Sequence, residues 1–300
     1  MEIAKHSKEL IAAVVTPMKA NGDVNIQAID NYAKFLIDRG VTGVFACGTT
    51  GEGLLMDNSE RKAEAEAWMR HADKLRILIH VGSTSYKLSQ DLAAHAESIG
   101  AHGISAMGPC FLQPTRAFEL VGFNREIAKA APNTPYFHYH IPVTSGVNVS
   151  MVEFLKLART EIPTLKGLKY TSFNSMEEQE IIAFDGGRYE ILHGHDEILL
   201  TGLMLGARGG IGSSYNLTSG LYSQLIAAFE QGDIEKAKAL QLEAIRFIHV
   251  MCSAPSVIAG IKGMLNIYGI DCGPCRLPLR NLSSDEMKVL ENELKTFEWI

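Results

Sequence analysis

The chain has 300 residues, of which 46% are hydrophobic and 21% are charged, a composition typical of a globular protein with a large core. Wholesale disorder and a fibrous repeat are therefore excluded. Lys and Arg number 28 against 34 Asp and Glu, a net charge of −6 with no run of like charges, so the basic surface of a nucleic-acid-binding protein is missing. We expect a small-molecule partner and no nucleic acid.

The N-terminal segment, residues 1–8, is polar and charged. The apolar run that follows it, Leu10 to Val15, is too short for the core of a signal peptide or for a membrane span. We therefore expect a cytoplasmic protein with no membrane partner. The five cysteines are an odd number scattered along the chain, unlike the pattern of a disulfide-stapled domain, so we expect reduced thiols.

Short runs rich in β-branched or apolar residues recur along the chain, and most end in Gly, Pro, Ser or Thr. They predict eight strands, at Leu10–Thr16, Val44–Gly48, Arg76–Gly82, Gly103–Met107, Tyr136–Ile141, Leu165–Tyr170, Tyr189–His193 and Gly209–Ser213. Amphipathic segments between them predict crossover helices, among them Ile26–Arg39, Ser59–Ala72, Leu88–Ile99 and Arg116–Ala130. This alternation favours an α/β fold of the closed (β/α)8 type, a TIM barrel, over an open doubly wound sheet.

After Ser214 the pattern changes to helices alone, at Leu221–Met251, Ser256–Tyr268 and Ser284–Phe297. We therefore predict about three additional C-terminal helices that pack on the barrel. Because the chain has no linker-like tract of Pro, Ser or Gly, we expect a single domain over residues 1–300. It would consist of a barrel at residues 10–220 and a C-terminal helical extension at residues 221–300.

A glycine-rich loop follows the second strand, where barrel enzymes place their chemistry. Residues Gly48 to Gly53 read GTTGEG, so that backbone N–H groups and two threonine hydroxyls can converge on a carboxylate or a phosphate. A loop of this kind can equally serve only to close a tight bend. It matches neither the P-loop nor the dinucleotide-binding fingerprint.

The sixth strand contains a lysine, Lys169. By the two-residue period, its face also carries Leu165, Gly167 and Thr171. If that face points into the barrel, the amine lies in a water-poor site where its neutral form is favoured and can condense with a ketone. The alternative is a lysine that reaches solvent from the strand end. Tyr139 of the fifth strand could move protons or could be a core aromatic.

Two pairs of histidines, His138 with His140 and His193 with His195, could each be metal ligands on one strand face. Neither pair has a convincing third ligand, and the first pair points away from the barrel interior if Tyr139 points into it. We therefore predict structural roles for both pairs and no metal.

Two adjacent carboxylates, Asp196 and Glu197, follow the seventh strand. At a barrel mouth they can accept hydrogen bonds from the hydroxyls of a polyol, although a solvated loop or a helix N-terminus explains them equally well.

The tetrapeptide Cys272 to Cys275 reads CGPC, a sequence found in thioredoxin-like redox sites. It lies late in the chain and lacks the strand-to-helix turn of a thioredoxin unit, so we predict no redox function for it.

Together these segments resemble the N-acetylneuraminate lyase and dihydrodipicolinate synthase family of class I aldolases. The resemblance rests on the Gly48–Glu52 loop, Tyr139-His140-Ile141-Pro142 with Ser145-Gly146, Gly167-Leu168-Lys169, Gly212-Ser213-Ser214-Tyr215-Asn216, and the late Gly273-Pro274 with Arg276 and Pro278. It implies a (β/α)8 barrel with C-terminal helices, a homotetramer, and action on a 2-oxo acid without a cofactor.

By position, the resemblance implies that Lys169 forms a Schiff base and that Tyr139 transfers protons. It also implies that Thr49 and Thr50 hold the substrate carboxylate. The synthase branch typically has an arginine two residues after the proline of the tyrosine motif, where this chain has Thr144. That branch also has a tyrosine relay in the loop after the fourth strand, where this chain reads PCFLQP. These departures disfavour the synthase branch.

Gly194, Asp196 and Glu197 resemble instead the lyase pattern that binds the glycerol-like tail of sialic acid. Thr171 and Ser213 fall where lyases have further sugar-binding hydroxyls. The resemblance therefore implies reversible cleavage of N-acetylneuraminate to pyruvate and N-acetylmannosamine. The alternatives are another aldolase of the family acting on a 2-keto-3-deoxy sugar acid, a dihydrodipicolinate synthase, a metal-dependent class II aldolase, and a non-catalytic barrel that binds sugar acids.

Overall fold

Eight parallel strands close into a barrel in the computed structural model, which describes residues 7–297 and residue 299. The strands are β1 (Glu9–Ala13), β2 (Gly43–Ala46), β3 (Arg76–His80), β4 (Gly103–Met107), β5 (Tyr136–His140), β6 (Leu165–Tyr170), β7 (Glu190–His193) and β8 (Gly209–Gly212). Each strand pairs with its sequence neighbours, and β8 pairs with β1. The predicted TIM barrel is confirmed, and the alternative of an open sheet is wrong. The outermost residues of the predicted domain, 1–6, 298 and 300, lie outside the described residues.

Helices connect the strands on the outside of the barrel. They are α1 (Ile29–Ile37), α2 (Asn58–Met69), α3 (Tyr86–Ser98), α4 (Ala117–Ala128), α5 (Pro142–Ser145), α6 (Met151–Glu161), α7 (Ser175–Ala183), α8 (Leu199–Leu205) and α9 (Tyr215–Glu230). The additional helices are α10 (Ile234–Cys252), α11 (Val257–Ile267) and α12 (Ser284–Leu294). Short 3-10 turns stand at Ile26–Ala28, Gly53–Leu55, Phe184–Gly187 and Asp196–Ile198.

The predicted single helix Leu221–Met251 is wrong, because the structure has two helices there. The break lies at Gly232, whose φ of +78° is a left-handed conformation that ends α9, and at Asp233, whose side chain accepts a hydrogen bond from the Lys236 N–H and caps α10. Helix α9 is the eighth crossover helix and packs on β1, so the boundary predicted at residue 220 falls inside it. Because α10 and α11 both pack on α9, we propose that barrel and extension form one domain.

Successive strand residues alternate between the barrel interior and an outer core beneath the helices. The interior cluster is Ile11, Ala13, Phe45, Leu78, Met107, Phe137, Tyr139, Ile141, Leu192 and Ile211. Leu165 packs in the outer core instead of on the face of Lys169, because the pairing of β5 with β6 shifts register between Tyr136 and Phe137. The face predicted for β6 is therefore wrong at Leu165.

Among the residues that the structure describes, no single helix is both long and apolar enough to cross a membrane. Helices α10 and α11 meet that criterion only when they are taken as one segment, and they are bent by 100° relative to each other.

Candidate active site

Strand β6 carries the Lys169 side chain into the barrel interior, where the residue is 5% exposed. Its Nζ lies 4.2 Å from the ring centroid of Tyr139 and 4.6 Å from that of Phe45. The two rings shield the amine from water and, through their π faces, contact it without a hydrogen bond. Of the two possibilities that the sequence leaves open, the structure has the inward-facing lysine, and the alternative of a lysine that reaches solvent is wrong.

Tyr139 lies beside this amine with its hydroxyl directed to the glycine-rich loop. The phenol oxygen is 3.4 Å from Thr49 Oγ1, and the ring packs edge-on against Phe45 with 5.6 Å between centroids. An amine, a phenol and a threonine hydroxyl therefore meet at the carboxyl end of the barrel, where one small molecule can contact all three.

The glycine-rich loop after β2 is held in an unusual backbone conformation. Cys47 and Glu52 have φ of +57° and +55°, the left-handed region that non-glycine residues rarely adopt. Gly53 must be glycine, since a Cβ there would lie 1.8 Å from the Cys47 carbonyl oxygen. The fold restrains this loop and so preserves a curve that exposes Thr49 at the barrel mouth and leaves Thr50 half-buried.

A cluster of buried polar side chains contacts the backbone of the loop, and this cluster was not predicted from the sequence. We call Thr16, Cys47, Arg61, Glu64 and His80 the loop-base cluster. Each of these residues is at most 3% exposed.

His80 of the loop-base cluster fixes the position of the Cys47 carbonyl. The Met107 N–H donates to His80 Nε2, so His80 Nδ1 carries the proton and donates to the Cys47 oxygen at 3.1 Å. Burial, together with the neighbouring Arg61 guanidinium, holds the pKa of His80 well below its usual value and keeps the ring neutral. Arg61 in turn donates to the carbonyl oxygens of His80 and Gly82.

A buried ion pair ties the same loop to the C-terminal helices. Glu52 is 2% exposed, and its Oε1 accepts a hydrogen bond from Lys262 Nζ of α11 at 2.6 Å. The second oxygen of Glu52 accepts from the backbone N–H of Arg276 at 2.7 Å, so both oxygens of the buried carboxylate have partners. The late segment that contributes to the family resemblance thus contacts the glycine-rich loop directly.

Three of the four predicted histidines face the outer core, and the fourth, His195, follows β7 and stacks on Phe173. His138 hydrogen-bonds the Asn124 side chain and His140 stacks on Tyr170, while His193 hydrogen-bonds a buried glutamate of α7. Burial lowers the pKa of His138 to about 3 and that of His140 to about 4, so both rings are neutral. No group of three or more His, Cys, Asp or Glu within the described ranges could hold a metal ion.

Thr171 and Gly194 lie at the carboxyl ends of β6 and β7. The Thr171 hydroxyl is buried and has no hydrogen-bond partner among the described residues, so it is available to a bound molecule. Gly194 makes room for that hydroxyl, because a Cβ at Gly194 would lie 1.9 Å from Thr171 Oγ1. Ser213, after β8, is partly exposed at the same end of the barrel.

The two adjacent carboxylates have different surroundings. Asp196 is 7% exposed, its Oδ2 accepts from the Ser214 N–H at 2.7 Å, and burial raises its pKa. Glu197 is more exposed and its Oε1 lies 3.1 Å from His195 Nδ1. Burial opposes ionisation, but the hydrogen bond from His195, a backbone hydrogen bond and the nearby imidazole rings together lower the pKa of Glu197. Glu197 is therefore the carboxylate with more freedom to accept hydroxyl hydrogen bonds, and Asp196 also supports the start of α9.

Cys272 and Cys275 are buried free thiols in the segment that connects α11 to α12. Burial raises the pKa of Cys272 to about 12 and that of Cys275 to about 11, so little thiolate forms near neutral pH.

Replacing Cys272 and Cys275 together by serine is expected to leave turnover per folded molecule unchanged, both with and without a thiol reductant. The reason is that neither thiol is reactive and neither belongs to the interior cluster around Lys169. Steady-state rates of the wild type and the double variant, each measured under both conditions, provide the test. A loss of wild-type activity on oxidation that the double variant escapes would contradict it.

Comparison with known proteins extends the geometric description. A profile of the dihydrodipicolinate synthetase family matches residues 6–297. The N-acetylneuraminate lyase of Homo sapiens is 38% identical over 99% of this chain and 94% of its own length. The solved structure of Proteus mirabilis N-acetylneuraminate lyase superposes with a TM-score of 0.94 at 36% identity, covering 99% of this chain and 100% of that one. A catalytic lysine mutant of Ruminococcus gnavus sialic acid aldolase superposes with a TM-score of 0.91 at 29% identity, covering 96% and 95%.

Proposed function

The chain belongs to the dihydrodipicolinate synthetase family, and from this premise we propose that it is a class I aldolase that reversibly cleaves N-acetylneuraminate to pyruvate and N-acetylmannosamine. The observation that carries the proposal is the burial of Lys169 between two aromatic rings, with the phenol of Tyr139 and the hydroxyl of Thr49 beside it. This arrangement suits a Schiff-base aldolase, which needs a shielded amine and a proton-transfer group within reach of one carbon chain.

The reaction begins when the neutral amine of Lys169 attacks the C2 ketone of the open-chain sugar acid. Loss of water gives a protonated imine. The C3–C4 bond then breaks, and its electron pair moves into the iminium nitrogen, so that no free carbanion forms. The C4 hydroxyl passes its proton to the Tyr139 oxygen while the phenol passes its own proton through the Thr49 hydroxyl to the bound carboxylate, and C4 becomes the aldehyde carbon of N-acetylmannosamine. The remaining enamine takes a proton at C3, and water hydrolyses the imine to release pyruvate and free Lys169.

Tyr139 and the glycine-rich loop have different roles in this reaction. Thr49 and Thr50 hold the substrate carboxylate, and the Thr49 hydroxyl can accept from or donate to the Tyr139 phenol. Their 3.4 Å separation is long for a hydrogen bond between hydroxyls. Hydrogen bonds in unliganded active sites are commonly long and shorten when substrate binds.

The far side of the barrel mouth would bind the polyhydroxyl tail. Thr171 supplies an unpartnered hydroxyl, Gly194 provides the space beside it, and Ser213 adds a second hydroxyl. The carboxylates of Asp196 and Glu197 would accept hydrogen bonds from the tail. No cofactor or metal takes part in this scheme.

Glu197→Gln or Asp196→Asn is expected to reduce kcat/KM for N-acetylneuraminate cleavage roughly ten- to a hundredfold, since a lost charge-assisted hydrogen bond costs about 1.5 to 3 kcal/mol. Condensation of pyruvate with a short aldehyde should change far less, because that substrate has no tail. Both reactions are to be assayed on both variants. The exposed Glu180→Gln, on α7, is the matched control. Equal losses with both substrates would mean that the pair supports the loop rather than the tail.

The direct test of the proposed function is incubation of the purified protein with N-acetylneuraminate, followed by detection of both products. Borohydride reduction in the presence of pyruvate should leave a pyruvyl adduct on one lysine, located by mass spectrometry. A metal-dependent aldolase would give no adduct and would lose activity to a chelator. Cleavage of a shorter sugar acid only would favour a 2-keto-3-deoxy sugar acid aldolase, and binding without turnover would favour the non-catalytic alternative.

The homotetramer stays a prediction from the family resemblance. The cytoplasmic location stays a prediction from the N-terminal composition. Sedimentation of the purified protein tests the first of them.

A further inference from the structure

Beneath the glycine-rich loop, the loop-base cluster contains an acid that the proposed reaction does not use. Glu64 of α2 is fully buried. Its Oε2 lies 2.9 Å from Thr16 Oγ1 and 3.3 Å from Cys47 Sγ, and its Oε1 accepts from the Trp68 indole N–H at 3.4 Å. This carboxyl group therefore contacts Cys47, which directly precedes the loop, and Thr16, which contacts the loop backbone.

A count of protons defines the state of this acid. Thr16 Oγ1 lies 2.5 Å from the Gly51 carbonyl oxygen, which can only accept a hydrogen bond. The single hydroxyl proton of Thr16 is thus committed to Gly51. The 2.9 Å contact between Thr16 and Glu64 then needs a proton of its own, and only a protonated Glu64 carboxyl group can supply it.

We propose that Glu64 is a positioning residue that holds the Gly48–Gly53 loop in its carboxylate-binding shape only while its carboxyl group is protonated. The proposal rests on the proposed function of that loop. Protonated Glu64 donates to Thr16, which donates to Gly51, so a chain of two hydrogen bonds runs from α2 to the loop backbone.

The surroundings of Glu64 favour the neutral acid. Burial raises its pKa to about 7, despite the opposing effect of its polar contacts with Thr16, Cys47 and Trp68 and of Arg61 on the same helix. The guanidinium of Arg61 itself donates hydrogen bonds to the carbonyl oxygens of His80, at the end of β3, and of Gly82. Burial also raises the pKa of Cys47 and of Tyr32 in α1 well above their usual values, so both face Glu64 as neutral groups.

Loss of the proton from Glu64 reverses the hydrogen bonds. The Thr16 hydroxyl then turns to the carboxylate, which is the stronger acceptor because it is charged. The Gly51 carbonyl loses its donor, and the restraint on a loop with two left-handed residues weakens. The 2-oxo acid should therefore bind more weakly as the pH rises through about 7.

The test compares the wild type with Glu64→Gln and with Glu66→Gln, an exposed position two residues along α2 that pairs with a surface histidine. The measurement is the pyruvate concentration that gives half-maximal borohydride-trapped adduct. Between pH 6 and pH 8 it should rise about tenfold in the wild type and in Glu66→Gln, as the binding-competent fraction falls. In Glu64→Gln it should stay nearly constant, because the amide donates to Thr16 at every pH. In all three proteins, the maximal cleavage rate at saturating substrate should change little between pH 6 and pH 8.

Thermal unfolding gives a readout that does not depend on activity. The folded state keeps the Glu64 proton up to about pH 7, whereas the unfolded chain releases it near the ordinary value of about 4.5, so stability falls as pH rises between these values. The unfolding temperature of the wild type should therefore fall relative to that of Glu64→Gln from pH 5 to pH 7. Parallel profiles in the two proteins would overturn the proposal.

A second variant covers the case in which Glu64→Gln does not fold. Thr16→Val removes the hydroxyl that links the acid to the loop, so half-maximal trapping should need more pyruvate at both pH values and lose its pH dependence. A retained tenfold dependence would overturn the proposal. If no pyruvyl adduct forms in any protein, the proposed aldolase function fails, and the unfolding profiles still test the protonation of Glu64.

Discussion

Lys169→Ala is expected to abolish both turnover and the borohydride-trapped pyruvyl adduct. The substitution replaces the nucleophilic amine by a methyl group, and among the described residues only Lys169 and Lys262 are buried lysines. Lys262 is held by Glu52 and the Pro274 carbonyl oxygen. Without an imine there is no electron acceptor for the C3–C4 bond, so catalysis should fall to the background of the assay rather than by a partial factor.

Lys166→Ala is the matched control for this substitution, because Lys166 lies on the same strand and is exposed. It should keep full activity and the full yield of adduct. Peptide mapping by mass spectrometry after reduction locates the modified lysine in the wild type. An adduct that persists on another lysine of Lys169→Ala would overturn the assignment, and a wild type that turns over substrate without any adduct would remove the Schiff base from the mechanism.

The barrel could be predicted from the sequence because a short stretch of sequence is enough to indicate each of its strands and helices. Apolar runs of four to six residues alternate with amphipathic helices, and the predicted strands Gly103–Met107 and Leu165–Tyr170 match β4 and β6 end to end. The two-residue period placed Lys169 on one face with Gly167 and Thr171, and the structure shows that this face points into the barrel. The same period misplaced Leu165, because a register shift is a property of two paired strands and not of one.

The helix break between α9 and α10 was missed although the sequence marks it. Apolar residues continue across it at helical spacing, but Gly232 followed by Asp233 is a pair that commonly ends one helix and caps the next. Helix α9 packs on β1 and α10 packs on α9, as a turn at this point requires.

The support of the active-site loop could not be predicted from the sequence at all. Glu64 and Arg61 are three apart on α2, a spacing equally common on solvated helix faces, and nothing in that spacing shows that both are buried. The pair Glu52 and Lys262 is 210 residues apart, so its contact is visible only once α11 has packed on the barrel. Sequence patterns identify the groups that react, whereas the groups that hold them depend on tertiary packing.

Tyr139→Phe is expected to slow C–C cleavage by roughly 10²- to 10⁴-fold while leaving imine formation largely intact, the range typical of a general acid-base group. The phenyl ring keeps the packing against Phe45 and the contact with the Lys169 amine, so only the proton-transferring hydroxyl is lost. Single-turnover cleavage of N-acetylneuraminate, beside the yield of trapped pyruvyl adduct, separates the two steps. Tyr136→Phe, on the outer face of the same strand, removes a hydroxyl bonded to Asn124 and should leave the cleavage rate nearly unchanged. Equal rates in wild type and Tyr139→Phe would move the proton transfer to another group at the barrel mouth.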